Sequence, residues 1–176
     1  VGGPESHFSE CRIFAKYFPE RSCIPQEGFF CNNANSALLR GAWAQHRFDE
    51  DLTGLEDMEL AQRLVRNGER VAYVAETTVF HYHNESWPHV RRRFEREAIA
   101  LQKIMPQVHV GIIDTLRYVA TSIWKDWRFA SKEKIGSVSL SNIARYRWNQ
   151  YVGSWKGNHQ HRKLSHADKE KYFFPH

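Results

Sequence analysis

Thr53-Gly54-Leu55-Glu56-Asp57-Met58-Glu59-Leu60 opens an amphipathic helix that the pattern predicts to end near Asn67. Thr53 followed by Glu56 matches a capping box, in which each side chain bonds the other residue's backbone amide. Asp57 lies in the first turn, where the helix dipole favours an anion. Apolar residues then recur at helical spacing, as the stripe Leu60, Ala61, Leu64 and Val65.

The elements around this helix follow from periodicity and from turn residues. A helix over residues 5–18 and a short one over 41–46 precede it, and residues 36–40 are predicted as a buried strand or its edge. Two β-rich runs follow, at 71–74 and 77–81, joined by a turn. The predicted fold class is therefore α/β.

The C-terminal half is predicted to be helical. A basic helix runs from Ser86 to about Ile104, a third helix covers 142–156, and residues 157–176 form an irregular basic tail. Between them an apolar helical face is formed by Ile112, Leu116, Val119, Ala120, Ile123 and Trp127.

Composition limits the classes of protein and partner. The chain of 176 residues fits one domain, or one domain with an appendage. It contains no apolar run long enough for a transmembrane helix and no visible secretory signal. Three cysteines without paired spacing predict reduced thiols in a cytosolic protein. The net charge of +5 comes from a basic, aromatic-rich C-terminal half, which favours a membrane surface, a nucleic acid or phosphorylated substrates as partner.

Several residues could carry chemistry, although each also has an ordinary structural explanation. Asp57 is a candidate general base or a solvated first-turn acid. His81 and His83 share one face of a strand and could bind one metal or anion, or could be two surface histidines. The amide cluster Asn32, Asn33 and Asn35 suits hydroxyl-rich ligands or an ordinary turn. The arginines Arg91, Arg92, Arg93 and Arg96 suit phosphate or anionic lipid, or form a solvated helix face.

Taken in order, these pieces resemble the acceptor-side half of family-two glycosyltransferases, which are bacterial inverting enzymes of GT-A fold. The resemblance covers about residues 10–85. It is carried by Cys31-Asn32-Asn33-Ala34-Asn35-Ser36-Ala37-Leu38-Leu39-Arg40, by the stretch from Phe48 to Ala61, and by Arg63-Leu64, Gly68, Val71-Ala72-Tyr73-Val74 and His81.

The resemblance implies a role for each matching residue. Asp57 matches the base that deprotonates the acceptor hydroxyl, and Glu56 matches a neighbour that supports acceptor binding. His81 matches a contributor to the site of Mg²⁺ or Mn²⁺ and the diphosphate, and His83 could substitute for it. Acceptor binding is implied for Asn33, Asn35 and Trp43.

The implied fold is a partial, Rossmann-like GT-A domain over residues 1–85 that lacks the nucleotide-binding half, followed by a helical basic extension over 86–176. Asp49-Glu50-Asp51 has the acidic spacing of the family's metal motif. However, it follows the asparagine cluster, and at that place the family has a loop and not its metal motif. The chain is therefore expected to be incomplete as an enzyme and to be part of a longer one.

The implied function is inverting sugar transfer from a nucleotide-sugar donor to a glycan or lipid-linked acceptor, in bacterial surface polysaccharide synthesis. The expected location is cytoplasmic, with the basic and aromatic C-terminal helices contacting the anionic inner face of the cell membrane. Two alternatives stay open. One is a nucleic-acid-binding basic module using the arginine run. The other is a metal-dependent hydrolase built on His81, His83 and Asp57.

Overall fold

The computed structural model describes residues 1–3 and 5–160, and these residues form a helical structure. Two short 3₁₀ turns, Asn33–Asn35 and Ala75–Thr77, lie between the longer elements. The predicted basic tail lies outside the described residues from position 161 onward. The α-helices are α1 (Phe8–Tyr17), α2 (Arg40–Gln45), α3 (Glu56–Arg66), α4 (Trp87–Ile104), α5 (Ile112–Lys132) and α6 (Leu140–Asn158).

The predicted α/β class, and with it the partial GT-A domain, is wrong. The described residues contain no strand and no sheet. Each β-rich run forms one isolated bridge: Tyr73 bridges Cys23 in antiparallel fashion, and His81 bridges Gly2 in parallel fashion. A β-ladder needs an extended neighbour over several residues, and neither run has one. Residues 36–40, predicted as a buried strand, are exposed and lead into α2.

The core is built where α4, α5 and α6 pack together. α6 packs against both α4 and α5, while α1 packs on α6 and α3 packs on α4. The predicted domain boundary near residue 85 stays a prediction, although elements on either side of it are in contact. Buried apolar side chains from these helices include Val90, Ala98, Ile99, Ile104, Ile143 and Tyr146.

α4 and α6 approach each other closely at two glycines. A Cβ atom at Gly153 would overlap the carbonyl oxygen of Arg91, and one at Gly157 would overlap the carbonyl oxygen of Glu95. Because both obstacles are backbone atoms, a side chain cannot be accommodated by a simple rotamer change. Glycine is therefore the residue that allows this helix crossing.

The start of α3 differs from its prediction and its end agrees. The capping box does not form, because Leu55 occupies the N-cap position in the left-handed conformation with φ 57°. Thr53 is buried instead, and its hydroxyl donates to the carbonyl oxygen of Arg96 at 3.1 Å. The helix ends at Arg66 with Asn67 as its C-cap, followed by Gly68 at φ 87°, as predicted.

No helix in the described part of the chain has both the length and the apolar character that crossing a membrane requires. Cys11, Cys23 and Cys31 are free thiols, which confirms that they do not pair with one another. Their predicted cytosolic setting stays a prediction.

Candidate functional site

The N-terminal turn of α3 borders an open cavity of about 930 Å³. The cavity lies between α1, the segment from Gln26 to Trp43, α3, and the segment from Glu69 to His81. Six of the candidate residues predicted from the sequence line it together. They are Asn32, Asn33, Asn35, Trp43, Asp57 and His81.

Asp57 is held in a fixed orientation by two backbone amides. The Asn33 N–H donates to Oδ2 at 2.6 Å, and the Met58 N–H donates to Oδ1 at 2.7 Å. The second bond is local to the first turn of α3, but the first crosses from the asparagine turn. Asp57 thus joins two segments, and each carboxylate oxygen keeps further lone-pair capacity for a hydroxyl donor.

The environment of Asp57 shifts its proton affinity in the direction that a base needs. Burial raises the pKa of Asp57 above its ordinary value, against the hydrogen bonds from Asn33 and Met58 that lower it. The nearby negative charge of Glu56 contributes a further, smaller rise. A base whose pKa is nearer the working pH removes a proton more effectively while it is ionised.

The asparagine turn is a built structure as well as a polar surface. Asn32 caps it, because its side-chain oxygen accepts from the Ala34 N–H at 2.8 Å. The Asn33 side-chain oxygen accepts from the Ser36 hydroxyl at 3.0 Å. The Asn35 amide donates to the carbonyl oxygen of Thr77, which also lines the cavity. All three side-chain amides therefore help to shape the cavity wall.

Trp43 lies at the cavity on the short helix α2. Its side chain is 39% exposed rather than packed inward, because α2 has no buried face. The guanidinium of Arg47 lies 3.5 Å from the centre of its indole ring, in a cation–π contact. An exposed aromatic ring at the edge of a cavity suits the apolar face of a sugar ring.

Glu56 does not have the capping role that its spacing predicts. It is the first residue of α3, and Leu55 takes the cap position. Asp57 lines the cavity, whereas Glu56 is not among the residues that line it. Its visible influence is electrostatic, through the pKa of Asp57.

His81 and His83 lie side by side but have different partners. Their rings meet edge to face with centroids 4.2 Å apart. His81 lines the cavity, and burial together with the neighbouring His83 lowers its pKa. His83 instead contacts Glu10 of α1, with Nδ1 2.6 Å from Oε1.

Glu10 was missed by the sequence analysis and is the centre of a buried ionic network. Arg93 of α4 places Nη2 2.5 Å from Glu10 and 2.8 Å from Glu85. Burial alone would raise the pKa of Glu10, but the hydrogen bond from His83 and the charge of Arg93 hold it below its ordinary value. The signal in the sequence was an acid inside the helical pattern of Phe8 and Phe14, which is unusual without a buried partner.

The residues around His83 do not fit a divalent cation as they stand. The described residues contain one carboxylate–histidine group of suitable spacing, with ligand atoms of Glu10, His83 and Glu85 within 4.8 Å of one another. Arg93 already supplies the positive charge between the two carboxylates. The predicted ligand His81 is not part of this group, so the prediction of Mg²⁺ or Mn²⁺ at His81 and His83 remains untested.

The arginine run is partly internal. Arg93 is committed to Glu10 and Glu85, and Arg91 donates from Nε to the Asn149 side chain at 3.0 Å. These contacts join α4 to α1 and α6. A run of arginines that holds helices together is not one continuous surface for a phosphate backbone.

Cys31 also lies at the cavity, although the sequence assigned it no role. Burial, followed by the charge of Asp57, raises the pKa of its thiol. The thiol therefore lies near the charge of Asp57, and it lines the same cavity.

Comparisons of the chain with protein-family models, with curated proteins and with solved structures found no match.

Proposed function

We propose that this chain provides the acceptor-binding surface and the general base of an inverting glycosyltransferase. The observation that carries the proposal is Asp57, a half-buried carboxylate with a raised pKa, fixed by two amides at the edge of a cavity lined by asparagines and Trp43. The resemblance of residues 10–85 to family-two enzymes supports the same assignment. The proposal concerns chemistry at this cavity and assumes no particular fold.

The reaction needs one proton acceptor. An acceptor hydroxyl donates its hydrogen bond to Asp57, and the carboxylate takes the proton as the oxygen attacks the anomeric carbon of the donor sugar. The new carbon–oxygen bond forms on one face while the bond to the nucleotide diphosphate breaks on the other. The diphosphate leaves with the bonding electron pair, and configuration at the carbon is inverted.

The described residues contribute positioning more than charge. The amides of Asn33 and Met58 hold the Asp57 carboxylate, so its orientation does not depend on the substrate. A hydroxyl held within hydrogen-bond reach of a fixed base loses little freedom in reaching the transition state. Trp43 and the asparagine turn present the stacking surface and the polar groups that a sugar acceptor uses.

The two alternatives fit the geometry less well. A hydrolase built on Asp57, His81 and His83 needs the three side chains at one centre, but His83 is engaged by Glu10. A nucleic-acid module needs an outward arginine surface, and Arg93 is internal. The sugar-acceptor proposal requires no rearrangement of the side chains that line the cavity.

The decisive experiment measures the release of nucleoside diphosphate that depends on the presence of an acceptor. Turnover is measured on the intact glycosyltransferase to which the chain is proposed to contribute, with a panel of nucleotide sugars and with mono- and disaccharide acceptors. Asp57→Asn is expected to reduce turnover by at least about 100-fold, the scale of a general base. Glu59→Gln is the matched control, because Glu59 lies in the same turn of α3 but pairs with Arg63 and does not line the cavity. Near-normal turnover in Asp57→Asn would refute the base assignment.

Saccharide binding gives a second, independent readout. Saturation-transfer NMR with the same saccharides is expected to detect binding that Trp43→Ala weakens and Trp148→Ala does not. Trp148 is similarly exposed but lies on α6, away from the cavity. Binding that is insensitive to Trp43 would place the acceptor elsewhere.

A further inference from the structure

Helix α5 turns its apolar and aromatic side chains toward solvent. Ile113 is 77% exposed, Leu116 55%, Trp124 53% and Trp127 49%. At 100° per residue these four positions fall within one sector of the helix surface. We call them the α5 outer stripe. Apolar faces of this kind are normally buried in a core.

The orientation of α5 is fixed by its polar side. Thr115, Asp126 and Ala130 are the buried residues of the helix. Asp126 pairs with Arg147 of α6 at 2.7 Å, and Ser122 lies 2.8 Å from the hydroxyl of Tyr151. Because these polar contacts face α6, the outer stripe must face away from the bundle.

A row of cations borders the outer stripe. Arg117, Lys125, Arg128 and Lys132 are all exposed, and they occupy the adjacent sector of the helix. The Arg128 guanidinium lies 5.2 Å from the ring centre of Trp124, so the two rows are in contact.

The carboxylates of α5 do not neutralise this row. Asp126 is buried against Arg147. Asp114 accepts from the Gly111 N–H at the start of the helix, at 3.1 Å. The outward surface of the helix is therefore apolar on one side and positive on the other.

We propose that α5 lies in the plane of an anionic lipid surface, with the outer stripe inserted below the headgroups and the cations at their level. This combination of tryptophan and leucine beside arginine and lysine is typical of interfacial helices. Indole rings also prefer the boundary between hydrocarbon and water. The proposal is independent of sugar transfer, because none of these residues lines the cavity of Asp57.

Charge distinguishes this occupant from two others. A second copy of α5 would bring four more cations and, in the same sector, only the half-buried carboxylate of Asp114, whereas anionic headgroups would neutralise the cations. A nucleic acid would neutralise the cations but would leave the apolar row in water. Of these three occupants, the anionic lipid surface satisfies both rows at once.

The test is flotation of the full chain with phosphatidylcholine–phosphatidylglycerol vesicles, compared with pure phosphatidylcholine vesicles. Binding is expected for the anionic vesicles, and it should weaken with salt. Lys125→Gln and Arg128→Gln should each lower the partition constant about fivefold. Trp124→Gln with Trp127→Gln should lower it about tenfold or more. Trp148→Gln is the matched control on α6 and should bind like the wild type.

Three results would overturn the proposal. They are failure of the wild type to bind either vesicle, binding that the α5 variants leave unchanged, and a change in oligomeric state rather than in vesicle binding when the outer stripe is altered. Circular dichroism of each variant shows whether the bundle is intact, and the substituted side chains are exposed, so folding should be preserved.

Discussion

Arg147 of α6 and Asp126 of α5 form an ion pair inside the helical bundle, with Nη2 2.7 Å and Nε 2.8 Å from the same carboxylate oxygen. Both side chains are more than nine-tenths buried. Arg147 also donates to the carbonyl oxygen of Ser9 at 3.3 Å. One guanidinium thus connects α5 and α6 with α1, and it determines which face of α5 is turned inward.

Removing the carboxylate from this pair should destabilise the bundle strongly. Asp126→Asn leaves the Arg147 charge buried without its partner, and the expected loss is about 3–5 kcal/mol in the free energy of unfolding. Urea denaturation measures it. Asp126→Asn combined with Arg147→Met removes both charges and should recover part of the loss. Glu59→Gln breaks an ion pair nearer the surface and should cost about 1 kcal/mol or less. Equal losses in the two single variants would contradict this ranking.

At the close crossing of α4 and α6, Gly→Ala substitutions are expected to lower the stability, which is the reverse of their usual effect in a helix. In an exposed helix, Gly→Ala stabilises by about 1 kcal/mol. At Gly153 or Gly157 the added methyl group would meet the backbone of α4, so Gly153→Ala and Gly157→Ala should each destabilise by about 1–3 kcal/mol. Gly41→Ala in α2 meets nothing within 4 Å and is the control, with stability unchanged or increased. Thermal unfolding of the three variants tests this prediction. A Gly157→Ala variant that is more stable than the wild type would show that the two helices are further apart.

These two contacts explain where the sequence could and could not predict the fold. Periodicity and stop signals predicted α1, α3 and α4 closely, because helix formation is local. The sequence indicated an apolar face on α5 and predicted membrane contact by the C-terminal helices, but it did not show in which direction α5 is turned. That direction depends on Asp126, whose partner Arg147 is 21 residues away. The prediction of strands in the β-rich runs was wrong for a related reason, because residues with strand propensity form no sheet without an extended neighbouring strand.

The candidate site likewise contains some features that the sequence predicted and others that it did not. Asp57 and the asparagine turn were found because their residue types and order carry chemistry. The bond from the Asn33 amide to Asp57 was invisible, because it joins residues 24 positions apart. Thr53 shows the opposite error. The local spacing predicted that Thr53 takes part in a capping box. Its hydroxyl instead donates to the carbonyl oxygen of Arg96, which is distant in the sequence.

Glu10 should make the protein sensitive to acid. Its pKa is lowered in the folded state by His83 and Arg93, so the native state binds fewer protons there than the unfolded state. The stabilisation is present above the unfolded value, about 4.3, and is lost as pH falls through the lower folded value. Glu10→Gln should therefore lose stability at neutral pH and show a weaker decline in the acid range. Unfolding free energies measured from neutral pH downward test this, and identical acid slopes in the two proteins would argue against it.

Asp57 should show the opposite dependence. Because burial raises its pKa in the folded state, the native state binds more protons there than the unfolded state, whose value is about 3.9. Its contribution to stability is greatest below that value and falls as pH rises through the higher folded value. Asp57→Asn should remove this component, and Glu59→Gln should keep it. Under the proposed function the same pKa also governs turnover, since a base must be ionised. Turnover should fall as pH drops through a value above that of an ordinary aspartate. A stability curve and a rate curve that respond at the same pH, both altered by Asp57→Asn, would identify one carboxylate as the cause. An acid limb that persists in residual turnover of the variant would assign the proton acceptor to another group.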